Sequence, residues 1–297
     1  MYSVHIDPFA GFCPGVSKAI NLVGDLLEDN DKVYSLGELV HCPEEMQRLE
    51  YQGLKIVSVD DVKVIENSTI LIRAHGVTPK IQFELGISSN HIVDATCNIV
   101  HRLQQKVKIS SLQMQSVDGQ IVIYGKKKHP EVEGLLGYCQ SNYLVVESPD
   151  NLGDIDLTKP ICIFAQTTAN VADFETFVSN IYSALKKSGL SNENVQVYNT
   201  ICGPMKLRVP LLKTFAQEHD VIVFVAGEHS SNGSYLASII KEENINTFKV
   251  SSEHEVNPSW FTNAEKVGIT GGNSTPVWLL ENVAKEVKRL GEILAKD

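Results

Sequence analysis

One strand-and-helix unit occurs three times in this 297-residue chain, and each copy carries one cysteine at the same place. Cys13, Cys97 and Cys202 each follow a short β-type run, and each opens a helix-type segment. In the first copy, apolar residues between Val16 and Leu27 recur every three or four positions, which is typical of one face of a helix. The repetition predicts a chain built from three similar sets of strands and helices.

Two further strands follow in each copy, and each strand leads into a polar loop. The loop after the second strand has a marked residue 28, 32 and 28 positions beyond the cysteine: His41, His129 and Ser230. The loop after the third strand has one 62, 70 and 72 positions beyond it: His75, Thr167 and Ser274. The spacing keeps the three copies in register over almost the whole chain.

The strand segments are continuous apolar runs without polar alternation, as in Ile161–Ala165. This pattern is expected where helices cover both faces of a parallel sheet. It predicts the α/β class, with three small parallel-sheet domains at 1–92, 93–194 and 195–297, the last ending in a helix. Ligands of such sheets collect beyond the carboxyl ends of the strands. An ordinary polar α/β loop explains any single marked position, whereas nine positions at matched offsets favour one shared centre.

Composition limits the class of function. With 43% hydrophobic residues and no apolar run long enough to cross a bilayer, the chain is expected to be soluble. Its first residues lack the basic start and apolar core of a signal peptide, so the cytoplasm is the expected location. A net charge of −10 and a pI near 5.4 argue against nucleic acid or an anionic membrane as the main partner.

The six cysteines fall into two groups. Cys162 lies inside an apolar strand, Cys139 carries no pattern, and Cys42 stands beside His41, where either a buried or a ligand role is compatible. The other three, one in each copy, stand at predicted helix N-termini, where exposed amides and the helix dipole favour a thiolate. One thiolate from each copy predicts a metal site.

The kind of metal follows from the spacing of these thiols. Structural zinc sites have four protein ligands and usually close Cys-x-x-Cys pairs, and neither feature is found in this sequence. An iron–sulfur cluster accepts dispersed cysteines and, when only three hold it, leaves one iron open to a substrate. Such an iron acts as a Lewis acid as well as an electron donor. The pattern favours an iron–sulfur cluster.

The remaining loops suggest acid–base chemistry and anion binding. His129 and Glu131 are two positions apart, and a positioned carboxyl group ordinarily contributes about 10²–10⁴ in rate. Ser230–Asn232 and Asn273–Ser274 precede helical runs, so both are predicted caps, and capped helix starts also bind phosphate. Lys126–Lys128, next to His129, is interpreted as a solvated rim that would attract a polyanion.

Short motifs along the whole chain resemble those of one known family. In chain order they are Gly11–Val16, Val40-His41, Ala74–Val77, Asp94–Cys97, His129–Gly134, Gln166–Thr168, Thr200–Cys202, Ser230–Asn232 and Ser274–Pro276. Together they resemble the 4-hydroxy-3-methylbut-2-enyl diphosphate reductase family, also called LytB/IspH. The resemblance implies a trefoil of three α/β domains around a central [4Fe–4S] cluster. It also implies reductive removal of an allylic hydroxyl, which gives isopentenyl and dimethylallyl diphosphate as the last step of the methylerythritol phosphate pathway.

The same resemblance implies a role for each matching residue. The cluster, with three cysteine ligands and one open iron, would be held by Cys13, Cys97 and Cys202. The diphosphate would be bound by His41, His75, Ser230, Ser231, Asn232 and Ser274, with His129 nearby. Glu131 would donate the proton, with Thr167 orienting the hydroxyl-bearing carbon and His129 completing the catalytic set. Neither a Gly-x-Gly-x-x-Gly motif nor a P-loop is found in the sequence, so a ferredoxin- or flavodoxin-like partner is expected to supply electrons.

One segment departs from the family pattern. After Cys202 the family usually has Thr-x-x-Arg-Gln, whereas this chain has Gly203–Pro210, in which two prolines are expected to shorten or kink the helix start. This change motivates a second interpretation, a paralogue that senses redox state or a diphosphate metabolite without turnover. A zinc- or iron-stabilised binding protein is a third. Glu131 and Thr167 favour the reductase, because a sensor has no need of a proton donor.

Overall fold

The computed structural model describes residues 2–29, 32–228 and 230–294, and all their side chains except those of Ser231 and Leu294. These residues form twelve strands: β1 (Ser3–Ile6), β2 (Val33–Leu36), β3 (Lys55–Val57), β4 (Thr69–Ile72), β5 (His91–Asp94), β6 (Gln120–Tyr124), β7 (Asn142–Val146), β8 (Ile161–Ala165), β9 (Val195–Tyr198), β10 (Val221–Val225), β11 (Thr247–Val250) and β12 (Lys266–Gly271). They also form ten α-helices: α1 (Pro14–Asp29), α2 (Pro43–Tyr51), α3 (Val59–Val62), α4 (Pro79–Gly86), α5 (Asn98–Ser116), α6 (Pro130–Leu136), α7 (Val171–Lys187), α8 (Gly203–Gln217), α9 (Ser231–Glu243) and α10 (Val277–Leu294).

The strands form three four-stranded parallel sheets that share one strand order. The sheets run β11-β10-β12-β1, β3-β2-β4-β5 and β7-β6-β8-β9. The three sets of strands are β2 to β5, β6 to β9, and β10 to β12 followed by β1. In each sheet the first strand of its set lies between the second and the third, and the fourth lies beside the third. Parallel pairing is seen, for example, between β6 and both β7 and β8. The predicted α/β class with three small parallel sheets is confirmed.

The strand before each marked cysteine occupies a different place from the one predicted. This strand is predicted to come first in each copy, but β5 pairs with β4, β9 pairs with β8, and β1 pairs with β12 from the far end of the chain. β5 and β9 are therefore edge strands of the sheets that precede them in the chain, and β1 is an edge strand of the last sheet. The domain boundaries at 92/93 and 194/195 stay a prediction, and the pairing of β5 and β9 is a reason to place them after these strands.

The central strands end at well-defined points because they are buried on both faces. Every residue of β6, β8 and β10 is buried. In the sheet that contains β6 and β8, Ile123 and Phe164 pack with Leu103 and Val107 of α5. Burial of such side chains contributes about 25 cal/mol per Å² of apolar surface, so the strands cannot slide without losing this contact. The loops that carry the marked residues therefore begin at fixed positions.

The two prolines after Cys202 were predicted to shorten or kink the helix start, and the structure contradicts the first of these effects. α8 begins at Gly203, immediately after the cysteine, and runs for 15 residues with Pro210 inside it. Pro204 lies in the first turn, where a missing amide costs no helical hydrogen bond. The helix therefore keeps its position at the third cysteine.

The described residues divide into two compact units. One comprises the described part of Met1–Asp31, Glu38–Ile56 and Lys206–Asp297, and it contains the sheet of β1, β10, β11 and β12. The other comprises Lys32–Gly37 and Val57–Met205, and it contains the sheet of β6 to β9. Among the helices described, none has both the length and the apolar content that a membrane crossing requires.

Candidate active site and metal-ligand residues

Glu131 is a buried acid at the carboxyl end of the sheet of β6 to β9. It lies in the first turn of α6, which follows β6, and its side chain is only 1% exposed. Both of its carboxyl oxygens bind Thr167, which follows β8. Oε1 accepts from the Thr167 amide at 2.7 Å, and Oε2 accepts from the Thr167 hydroxyl at 2.6 Å. β6 and β8 are the neighbours between which the strand order reverses, and ligands of open α/β sheets bind at such points.

The burial of Glu131 changes its acidity. Desolvation raises the pKa of this carboxyl group above its ordinary value of 4.5, while the hydroxyl and the amide of Thr167 oppose the rise by stabilising the carboxylate. Desolvation is the largest of these effects, so the group holds its proton at a higher pH than an exposed glutamate. A carboxyl group of this kind can act as a general acid.

His129 caps the helix that carries Glu131. Its Nδ1 accepts a hydrogen bond from the Glu131 amide at 3.1 Å, and the residue is the N-cap of α6. A ring nitrogen that accepts from an amide carries no proton, so the neutral ring has its proton on Nε2. The His129 ring also lies edge-on to the ring of His75, with centroids 5.2 Å apart. The structure therefore brings His75, His129, Glu131 and Thr167 together within one unit.

Cys97 and Cys202 occupy equivalent positions in this unit. The Cys97 amide donates to the Ala74 carbonyl at 3.0 Å, and the Cys202 amide donates to the Thr167 carbonyl at 2.9 Å. In both cases the acceptor lies in the loop after the third strand of the adjoining sheet. Cys97 is the N-cap of α5, but its thiol makes no capping hydrogen bond.

Cys13 repeats this arrangement in the other unit. Its amide donates at 3.2 Å to the carbonyl of Asn273, which follows β12. All three cysteines therefore stand between an edge strand and a helix N-terminus, and each is held by the same kind of backbone contact. Matched geometry of this kind confirms the threefold repeat that the spacing of the cysteines predicts.

Two helix starts come together in the unit that contains Cys13. Ser230 is 2% exposed and caps α9, because its Oγ accepts from the Gly233 amide at 3.0 Å. The Asn232 side-chain oxygen accepts from the Asn273 amide at 3.1 Å, which joins this cap to the loop before Ser274. The side chain of Ser231 lies outside the described part of the structure.

His41 lies in the same unit as these two helix starts. Its Nδ1 is 3.9 Å from a carboxyl oxygen of Glu38. A β-carbon on Gly227 would come within 2.5 Å of the His41 carbonyl, so only glycine fits the loop after β10 at this point. The tight approach fixes the backbone of His41 against the loop that leads to Ser230.

The six cysteines differ in burial. Cys42 and Cys162 are buried, whereas Cys13, Cys97, Cys139 and Cys202 are half-buried, and none of the six, all in the described part of the chain, forms a disulfide. Burial raises the pKa of Cys42 and Cys139 to about 12 and that of Cys162 to about 11, which keeps these thiols protonated. Soft sulfur donors at helix N-termini, which Cys97 and Cys202 supply in one unit and Cys13 in the other, are of the kind that iron–sulfur clusters accept.

The sequence prediction did not include two residues that support the site, Gln166 and Gln104. The buried Gln166 accepts from the Lys126 amide at 3.0 Å and donates to the Thr168 hydroxyl at 3.1 Å, so it joins the loops that carry Glu131 and Thr167. Gln104 of α5 donates to the Val77 carbonyl at 3.4 Å. For Gln104, the only signal in the sequence is that a polar side chain occupies a position on the buried face of the helix.

Comparison with known proteins agrees with this geometry. The model of the LytB protein family matches residues 4–288. The 4-hydroxy-3-methylbut-2-enyl diphosphate reductase of Porphyromonas gingivalis is 37% identical over 292 residues, covering 98% of this chain and 100% of the relative. The enzyme of the same name from Bacteroides thetaiotaomicron is 35% identical over 291 residues, covering 98% and 99%.

Solved structures show the same fold. A structure of (E)-4-hydroxy-3-methyl-but-2-enyl diphosphate reductase, described as the terminal enzyme of the non-mevalonate pathway, is 34% identical with a TM-score of 0.71, over 97% of this chain and 100% of the other. The corresponding reductase from Plasmodium falciparum is 22% identical with a TM-score of 0.82, over 96% and 87%, and supports the fold alone. The chain belongs to the LytB family, the 4-hydroxy-3-methylbut-2-enyl diphosphate reductases, which generally use an iron–sulfur cluster.

Proposed function

We propose that this chain reduces 4-hydroxy-3-methylbut-2-enyl diphosphate to isopentenyl and dimethylallyl diphosphate. The carbon–oxygen bond of the allylic hydroxyl breaks, two electrons and two protons enter, and the hydroxyl leaves as water. Hydroxide is a poor leaving group, so the reaction needs a proton donor at the hydroxyl and a source of single electrons close to it. Family membership over nearly the full chain supports this reaction.

The observation that carries the proposal is the set of contacts made by Thr167. Its amide and hydroxyl bind the buried Glu131, and its carbonyl accepts from the amide of Cys202. One residue thus connects a proton donor with a proposed metal ligand. When Glu131 is protonated, its O–H can donate to the Thr167 hydroxyl, which then turns its own proton toward the substrate.

The cluster ligands in this proposal are Cys13, Cys97 and Cys202. When bound, the cluster supplies single electrons and a Lewis-acidic iron. The chain contributes three thiolates held by matched backbone contacts. The thiols of Cys42, Cys139 and Cys162 do not compete with them, because their raised pKa values keep them protonated.

The diphosphate would be bound by the helix starts at Ser230 and Ser274, with the side chains of His41, His75, His129, Ser231 and Asn232. α9 and α10 have no acidic residue in their first turns, so their amide dipoles favour an anion. The Ser230 oxygen already accepts from an amide, which leaves its hydroxyl proton as a donor. The electrons would come from a ferredoxin- or flavodoxin-like protein.

The experiment is anaerobic turnover of the cluster-reconstituted chain with reduced methyl viologen and the allylic diphosphate. The expected result is both C5 diphosphates, identified by mass spectrometry, with two viologen cations oxidised per product. The Cys97→Ala variant, prepared in the same way, is the control and should give neither product. A substrate-induced change in the cluster spectrum without any product would contradict the proposal and favour the sensor.

A further inference from the structure

Helix α5 carries a positively charged surface on an acidic protein. Its 19 residues include no aspartate or glutamate, although the whole chain has a net charge of −10. Arg102, Lys106 and Lys108 are exposed, and between them stand Ile109, 58% exposed, and Leu112, 49% exposed. We call these five residues the basic face of α5.

The charge of this face is not neutralised by the surrounding protein. Arg102 and Lys108 form no ion pair with any residue in the described ranges, and the Lys106 ammonium lies 3.5 Å from the centre of the Tyr198 ring. The acidic residue that shares a small cavity with α5 is Asp94, on the side of His101, and its carboxylate accepts from the Thr96 amide. The face therefore remains cationic toward solvent.

The face also has a direct structural connection to the proposed cluster. α5 begins at Asn98, the residue after Cys97, and Arg102 lies only five residues beyond that cysteine. An electron that arrives near the first turns of α5 has a short path along one backbone to a proposed ligand. Exposed apolar side chains ringed by charges are typical of the surfaces that bind protein partners.

We propose that the basic face of α5 is the docking surface for an acidic, one-electron carrier protein. This inference rests on the proposed function, which needs two single electrons per substrate. In each encounter the reduced carrier loses one electron and the chain gains it, so two encounters supply one turnover. Opposite charges on the two surfaces would steer the encounter and raise its rate about 10–10³-fold at low ionic strength.

The test compares two variants that carry the same change in charge. Arg102→Glu/Lys108→Glu reverses two charges on the basic face of α5, and Lys186→Glu/Lys187→Glu reverses two on exposed residues at the end of α7 in the same unit. The probe is an acidic flavodoxin, oxidised for binding by titration calorimetry and reduced for turnover. Circular dichroism shows whether each variant keeps its fold.

At low salt, the first variant should lose at least tenfold in flavodoxin affinity and in the flavodoxin-dependent rate. It should keep its viologen-dependent rate within twofold, and the difference from wild type should shrink in high salt. The α7 variant should stay within twofold of wild type in every assay. Equal losses in both variants, or none in the first, would overturn the proposal.

Two further outcomes have defined meanings. If sedimentation shows that the wild-type chain dimerises and Arg102→Glu/Lys108→Glu does not, the surface binds a second copy and the docking proposal is wrong. If wild type shows no viologen-driven turnover, the proposed function fails, while calorimetry on the chain without its cluster still decides whether flavodoxin binds α5.

Discussion

Among single residues, Glu131 is a buried acid whose proton the proposed reaction uses. Glu131→Gln keeps the size of the side chain and an oxygen for the Thr167 amide but removes the acidic proton. We expect turnover with reduced viologen to fall about 10²–10⁴-fold, since that is the usual contribution of a positioned acid. Binding of the substrate, measured by its dissociation constant, should change little.

The control for this substitution is Thr167→Ser, which keeps the hydroxyl that meets Glu131 and removes a methyl group. It should retain most of the turnover. A Glu131→Gln variant that turns over within threefold of wild type would show that another group delivers the proton.

The raised pKa of Glu131 also predicts how stability depends on pH. Because burial raises the pKa in the folded state, the folded protein binds the proton more tightly than the unfolded chain. This contribution is fully present below the ordinary glutamate pKa and is lost as pH rises through the folded-state pKa. Above pH 4.5, the free energy of unfolding of wild type should therefore decline relative to that of Glu131→Gln.

Urea unfolding of both chains over a series of pH values measures this difference. Comparison with the Gln variant removes the contributions of all other titrating groups. A difference that grows in favour of wild type as pH rises would contradict the assigned direction of the pKa shift.

At the scale of secondary-structure elements, one buried ion pair joins α8 to the end of β1. Arg208 of α8 is 4% exposed and lies 2.8 Å from the carboxylate of Asp7, which is 3% exposed and follows β1. Arg208 also donates to the Thr270 hydroxyl at 2.8 Å, and that hydroxyl donates to Asp7 at 2.7 Å. These contacts among Asp7, Arg208 and Thr270 hold β1, β12 and α8 together.

Removing one partner should destabilise the fold more than removing both. Arg208→Met leaves the Asp7 charge buried without its partner and should lower the free energy of unfolding by about 3–5 kcal/mol, whereas Asp7→Asn/Arg208→Met should recover part of that loss. Urea unfolding of the chain without its cluster measures both variants. A double variant that is less stable than Arg208→Met alone would contradict this coupling.

At the scale of the whole molecule, the threefold repeat makes the three cysteines equivalent. Cys13→Ala, Cys97→Ala and Cys202→Ala should each reduce iron and sulfide to a small fraction of the wild-type content, because each removes one of the three proposed cluster ligands. Cys139→Ala and Cys162→Ala are the controls, since burial keeps these thiols protonated. Iron and sulfide analysis after anaerobic reconstitution decides the matter, and loss in a control would place the cluster elsewhere.

Much of the fold was predictable because the central strands are uniformly apolar. β6, β8 and β10 match the predicted runs closely, since strands covered on both faces need no polar residues. The edge strands β3, β7 and β11 were not predicted, because they are partly exposed and lack a continuous buried run. Pro204 misled the prediction because its effect depends on whether it lies in the first turn or in the helix interior.

The sequence by itself determined the threefold spacing of the cysteines, the family and the polar loops at strand ends, because these depend on residue types and local patterns. Only the tertiary structure decided that β1 pairs with β12, that Thr167 holds both carboxyl oxygens of Glu131, and that Arg208 reaches Asp7. Each of these contacts joins segments far apart in the chain. Local propensity carries no information about such pairings, which depend on burying the greatest apolar surface while every buried polar group finds a partner.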